Sequence, residues 1–93
     1  MTTRAATRAA VYAAIDGERD YQDALWDHDS SPHKLSVEAW LVYMDVYLRE
    51  AKEQITREAD VTAKPKVLAT IRKITAMGVA CMELNGAPLR VKP

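Results

Sequence analysis

The chain has 93 residues, 13 basic and 13 acidic side chains and no net charge, which describes one domain without the basic surplus of a nucleic-acid backbone binder. No run approaches the roughly 18 apolar residues of a membrane span, and a lone cysteine, Cys81, rules out a disulfide framework within the chain. A chain this short buries a core with little margin, so a homo-oligomer is expected.

The pattern predicts an all-α domain over residues 1–93, with helices at about 3–26, 36–57 and 65–84. The first is rich in alanine, and Thr2 or Thr3 can cap it. Val11, Ile15 and Leu25, with Ala14 and Tyr21 beside them, recur at helical spacing, and Gly17 is a weak point where the helix could kink. Asp27 to Lys34 is turn chemistry, and Pro32 discourages helix at Ser31. Ser36 suits the N-cap of the second helix, with Glu38 well placed against the dipole. Trp40, Tyr43, Met44, Tyr47, Leu48, Ala51 and Ile55 share a face, while Leu41, Val42 and Val46 lie on others. Such a helix is either central or covered by a partner subunit. Glu58 to Lys64 is polar, and Pro65 fits the first turn of the third helix. Leu68, Ile71, Ile74, Thr75, Gly78, Cys81 and Met82 form its stripe, with Gly78 and Cys81 small enough for close approach. Asn85-Gly86 gives a left-handed cap, and Pro88 blocks continuation. The second and third helices are expected to form an antiparallel hairpin crossed by the first.

Charge is partitioned along the chain. Asp16 to Ser31 holds six acidic residues against Arg19 alone, and Thr62 to Pro93 holds six basic ones against Glu83 alone. Two oppositely charged surfaces that attract within the fold or between subunits explain this.

Chemistry-bearing motifs are few. His28 and His33 sit in a loop far from Cys81, so no zinc set forms, and Cys81 in an apolar run reads as a small buried hydrophobe. The three glycines form no phosphate-binding loop, and no serine sits in a nucleophile elbow. Asp45, Glu50 and Glu53 could hold magnesium, but spacings of five and three do not bring them onto one helical face. The adjacent pair Arg72-Lys73 diverges by about 100° on a helix, so on a central helix one of the two must meet a carboxylate, a partner or an anionic ligand. All six aromatics are Tyr or Trp, the types that combine an apolar body with a polar handle in interfaces and pockets.

Glu18-Arg19-Asp20-Tyr21-Gln22-Asp23, followed by Leu25-Trp26, resembles the ER-x-x-Q-x-x-x-W signature of small phage and prophage proteins of the MazG-like type. Arg72-Lys73-Ile74 through Met82-Glu83-Leu84-Asn85-Gly86 is similar to the terminal helix of the same proteins. That family comprises all-helical nucleotide pyrophosphohydrolases, which bind magnesium through E-E-x-x-E on the second helix. Here the corresponding stretch is Val46-Tyr47-Leu48-Arg49-Glu50, so only Glu50 remains, and Arg72 and Lys73 occupy the region of a further acidic ligand. The resemblance therefore implies a nucleotide binder with no cofactor rather than a hydrolase. Arg19, Arg72 and Lys73 would contact phosphate, Tyr21 and Trp26 would stack or line the site, and Arg90 is a lesser candidate. In size and helical class the chain is also similar to small oligomeric phage proteins that sequester nucleotide immune signals, and that likeness implies a viral anti-defence protein. The lone cysteine fits the reducing cytoplasm of a bacterial host, and charge and hydropathy argue against nucleic-acid and membrane partners. Two other readings stay open: a magnesium-dependent pyrophosphohydrolase using Glu50, Glu53 and Asp45, and an oligomeric adaptor for other proteins.

Overall fold

Thr7 sets the start of the first helix. Its hydroxyl accepts a hydrogen bond from the Ala10 amide at 3.1 Å, and α1 runs Arg8–Leu25. Sequence alone favoured an earlier start at Thr2 or Thr3. Residues 3–6 are exposed, so alanine propensity there has no packing to reinforce it. Gly17 is accommodated within one continuous helix. The second helix, α2, spans Val37–Arg57, and the third, α3, spans Ala63–Asn85. Ser36 caps α2 by accepting from the Ala39 amide at 3.2 Å. At the end of α3, Gly86 takes φ 111° and its amide donates to the Met82 carbonyl at 2.7 Å, the left-handed stop foreseen for Asn85-Gly86.

This is a computed structural model, and it describes residues 3–26, 35–57 and 63–91. The loop Asp27–Lys34 with His28 and His33, and most of the connection assigned to Glu58–Lys64, lie outside the described residues. Among those described, all regular structure is helical, and no helix is long and apolar enough to cross a membrane.

The helices α2 and α3 pair as an antiparallel hairpin through the most extensive contact in the fold, and α1 docks on α3. The centre therefore belongs to α3, not to α2. Its buried side chains are Ala63, Val67, Ala76, Met77 and Ala80, and the small ones let neighbours approach on two sides. Gly78 does the same for Met44, whose terminal methyl lies 3.6 Å from where a Cβ would stand. Trp40, 2% exposed, forms the main cluster with Met77 and Ala80, and Trp26, Leu35, Met44, Tyr47 and Cys81 pack around it.

The expected apolar stripes are only partly the buried ones. Leu68, Ile71 and Met82 of α3 stay exposed, as do Leu48 and Ile55 of α2. On α1 the buried residues are Ile15, Glu18 and Gln22, two of them polar, while Val11, Tyr21 and Leu25 stay half exposed or more.

Two glycines give opposite expectations. A Cβ at Gly17 meets nothing within 4 Å, so Gly17→Ala should add about 0.5–1 kcal/mol of stability. Gly86→Ala should cost about 1–2 kcal/mol, because it forces an L side chain into the left-handed region. Thermal or urea melts of the two variants check both signs.

Candidate functional site

The residues of the segment Glu18–Trp26 have a definite geometry. Glu18, Gln22 and Trp26 succeed one another at steps of four, so all three lie on the side of α1 that meets the hairpin. Glu18 Oε1 accepts from Arg72 Nε at 2.7 Å. The neighbouring Arg19 donates through Nε to Glu83 at 2.6 Å and through Nη2 to Asp23 at 2.9 Å. Arg19 also reaches Gln22 Oε1 at 3.3 Å, and Gln22 Nε2 in turn donates to the Lys73 carbonyl at 3.3 Å. Trp26 lies against Trp40, with ring centroids 5.7 Å apart and planes tilted by 55°. The segment thus ties α1 to α3 by a polar seam and ends in an aromatic contact with α2.

The charge partition is satisfied across that seam. Glu18 from the acidic segment meets Arg72 from the basic one. The single basic residue of the acidic segment, Arg19, meets the single acid of the basic segment, Glu83. Arg19 is largely buried. Burial works against its charge, but the hydrogen bonds and charges of Glu83 and Asp23 outweigh this and hold its pKa above the ordinary value.

Residues of all three helices enclose a cavity of about 290 Å³ that borders the seam at Glu18, Gln22 and Lys73. Tyr21, Leu25 and Trp26 come from α1 and its cap, Trp40, Tyr43 and Tyr47 from α2, and Lys73 and Met77 from α3. Glu18, Gln22 and Leu35 complete the lining. Lys73 sits at its wall, with the ammonium 4.5 Å from the centre of the Tyr47 ring, a cation–π contact. It makes no ion pair among the described residues. A second, shallower hollow adjoins, lined by Ala14, Gly17, Glu18, Tyr21, Arg72 and Lys73. Glu18, Tyr21 and Lys73 are therefore shared by both.

The expected ligand residues divide accordingly. Tyr21, Trp26 and Lys73 line the cavity, and Arg72 joins Tyr21 and Lys73 in the adjoining hollow while bonded to Glu18. Arg19 is committed to the seam, and Arg90 is an exposed residue beyond the end of α3 that lines neither hollow. Of the two adjacent cations, one meets a carboxylate and the other an aromatic wall. Sequence reading missed Tyr43 and Tyr47 as lining residues, although their spacing of four on α2, three and seven after Trp40, carried the signal.

The carboxylates considered for magnesium do not assemble. Asp45 is paired with Arg49 at 2.8 Å, and Glu53 lies 3.6 Å from Arg57. Glu50 and Glu53 border an open hollow with Gln54, Arg57 and Thr70, and Asp45 is not part of it. No group of three metal-ligating side chains occurs among the described residues. Compared with known proteins, the chain matches no family model, no curated protein and no solved structure.

The seam separates the two arginines in their effect on stability. Arg19→Ala removes the hydrogen bonds that tie α1 to Glu83 and Asp23, but both carboxylates are about half exposed and turn to water, so it should cost about 1 kcal/mol. Arg90→Ala should change stability by less than about 0.5 kcal/mol, as surface changes away from packed contacts do. Chemical denaturation of both variants checks the contrast.

Proposed function

We propose that the cavity between α1 and α2 binds an anionic small molecule with a planar ring, a nucleotide-like compound, without turning it over. The observation that carries this reading is Lys73. Its ammonium stands over the Tyr47 ring at the wall of an aromatic cavity, with no carboxylate paired to it among the described residues. Tyr and Trp faces stack on a planar ring, and a lysine at the rim attracts its phosphate. With Arg72 and Glu18 beside it, the rim carries one net positive charge. The volume is at the small end of ligand sites, about 300 Å³ and upward, which suits a single nucleotide rather than a dinucleotide.

Asp45 and Glu53 are each taken up by an arginine of their own helix, Arg49 and Arg57, which favours binding over magnesium-dependent hydrolysis. The segment Glu18–Trp26 also resembles MazG-like proteins, which supports the nucleotide class of ligand. In a bacterial host such a protein would act by withdrawing a nucleotide signal from its receptor, the anti-defence role suggested by its likeness in size and helical class to small phage proteins that sequester such signals.

Trp26 and Trp40 report on the cavity directly. Titration with ribonucleoside monophosphates should change their fluorescence in a saturable way. Lys73→Met should weaken binding about tenfold or more while the circular dichroism stays helical. The reading fails if no nucleotide is bound, or if magnesium-dependent release of pyrophosphate appears and is lost in Glu50→Gln.

The proposal includes a second copy of the chain. Val37, Leu41, Met44, Leu48, Ala51 and Ile55 recur on α2 at steps of four and three, the seam of a helical bundle. The helix α3 repeats the pattern with Leu68, Ile71, Thr75, Gly78 and Met82. Met44, Ala51 and Gly78 are taken up within the chain, and helical periodicity puts the rest of both stripes on the side of the hairpin away from the cavity. Leu41, Leu48, Ile55, Leu68, Ile71 and Met82 remain about half exposed there. Together they offer on the order of several hundred Å², the scale of one side of a stable interface. Two hairpins packed through these stripes form a four-helix bundle and leave the cavities open. Light scattering coupled to gel filtration should give a dimer that Leu48→Glu converts to monomer, and a wild-type monomer at micromolar concentration would remove this part of the proposal.

A further inference from the structure

Glu18 is an unusual wall for a cavity that attracts anions. It is a carboxylate, only 9% exposed, and it borders both the main cavity and the adjoining hollow. One oxygen, Oε1, is held by Arg72 Nε at 2.7 Å. The other, Oε2, has no hydrogen-bond partner among the described residues. An ionised carboxylate only accepts hydrogen bonds, and this oxygen is not one of the fully buried unpaired polar atoms, so it meets solvent where Glu18 borders the two hollows. Arg72 fixes the group from the α3 side, so the carboxylate cannot swing out to water without giving up its ion pair. Lys73 contributes the opposite charge from the same walls.

The pairing of an acceptor and a cation in one aromatic cavity defines an amphoteric ligand. We propose that Glu18 selects, among aromatic anions, those whose ring carries N–H donors, so that the ligand class is a nucleotide with an amino- or imide-bearing base edge. The ring stacks among Tyr21, Trp26 and Tyr43, its N–H edge donates to Glu18 Oε2, and its phosphate lies toward Lys73. A ring without donors would cover the carboxylate, strip its water and return nothing, and a site built to receive a hydrogen bond discriminates against the analogue that lacks it. This inference rests on the reading of the cavity as a site for aromatic anions, and it adds the edge chemistry that the base must have.

The test compares two probes that share an aromatic ring and a phosphate: guanosine monophosphate, with N–H donors on the ring, and 1-naphthyl phosphate, with none. Both are titrated calorimetrically into the wild-type chain, Glu18→Met and Arg72→Met. Both variants remove the same link between α1 and α3, but only Glu18→Met removes the acceptor. The wild type should bind guanosine monophosphate at least about tenfold tighter than 1-naphthyl phosphate, the scale of one charge-assisted hydrogen bond. Glu18→Met should abolish or reverse that preference, and Arg72→Met should retain it. If Glu18→Met does not fold, the wild-type ratio alone decides. Equal affinities in the wild type, or an unchanged ratio in a folded Glu18→Met, overturn the role of Glu18 and leave the cavity a site for aromatic anions. If neither probe binds to folded wild-type protein, both conclusions fall.

Discussion

The docking of α1 on α3 depends on a polar seam, and the cavity depends on that docking. Glu18–Arg72, Arg19–Glu83 and the Gln22 side chain on the Lys73 carbonyl hold a helix whose apolar side chains face largely outward. Hydrophobic burial alone would place α1 loosely, since it is non-directional. The charge-assisted hydrogen bonds fix its rotation and height, and each weakens steeply with misalignment. With α1 so fixed, Trp26 meets Trp40, and Tyr21 faces the same hollow as Tyr43 and Tyr47.

This division of labour explains the small core. Trp40, Met77 and Ala80 are the centre of packing, and much of the remaining apolar surface lies on the far side of the hairpin. A monomer of this size gains little from such a core, so the outward stripes on α2 and α3 and the polar seam on α1 are complementary answers to one constraint. In the proposed dimer the first supplies buried area through a second chain. The second supplies orientation where buried area is short.

Lys73 links the seam to the site. Its carbonyl receives Gln22, and its side chain crosses to Tyr47 on α2, so one residue contacts both walls of the cavity. A change in the position of α1 is therefore felt at the cavity wall. Glu18 has the same double position, bonded across the seam through one oxygen and bordering the cavity.

Sequence by itself determined the three helices, the caps at Ser36 and Gly86, and the hairpin of the last two, because these depend on local spacing and backbone chemistry. It also marked the residues of Glu18–Trp26 and the pair Arg72-Lys73 as significant. Which partner each one meets was not legible. Arg19 and Arg72 look alike as candidate phosphate contacts, yet Arg19 is consumed by Glu83, sixty-four residues away, and Arg72 reaches Glu18 from half-exposed ground. The burial of Glu18 and Gln22 runs against the hydrophobic stripe, so no periodicity could reveal it. Tertiary structure also decided that α3, and not α2, is central. Its alanines and Gly78 leave room for neighbours on two sides, and close approach is a property of pairs of helices that neither sequence shows alone.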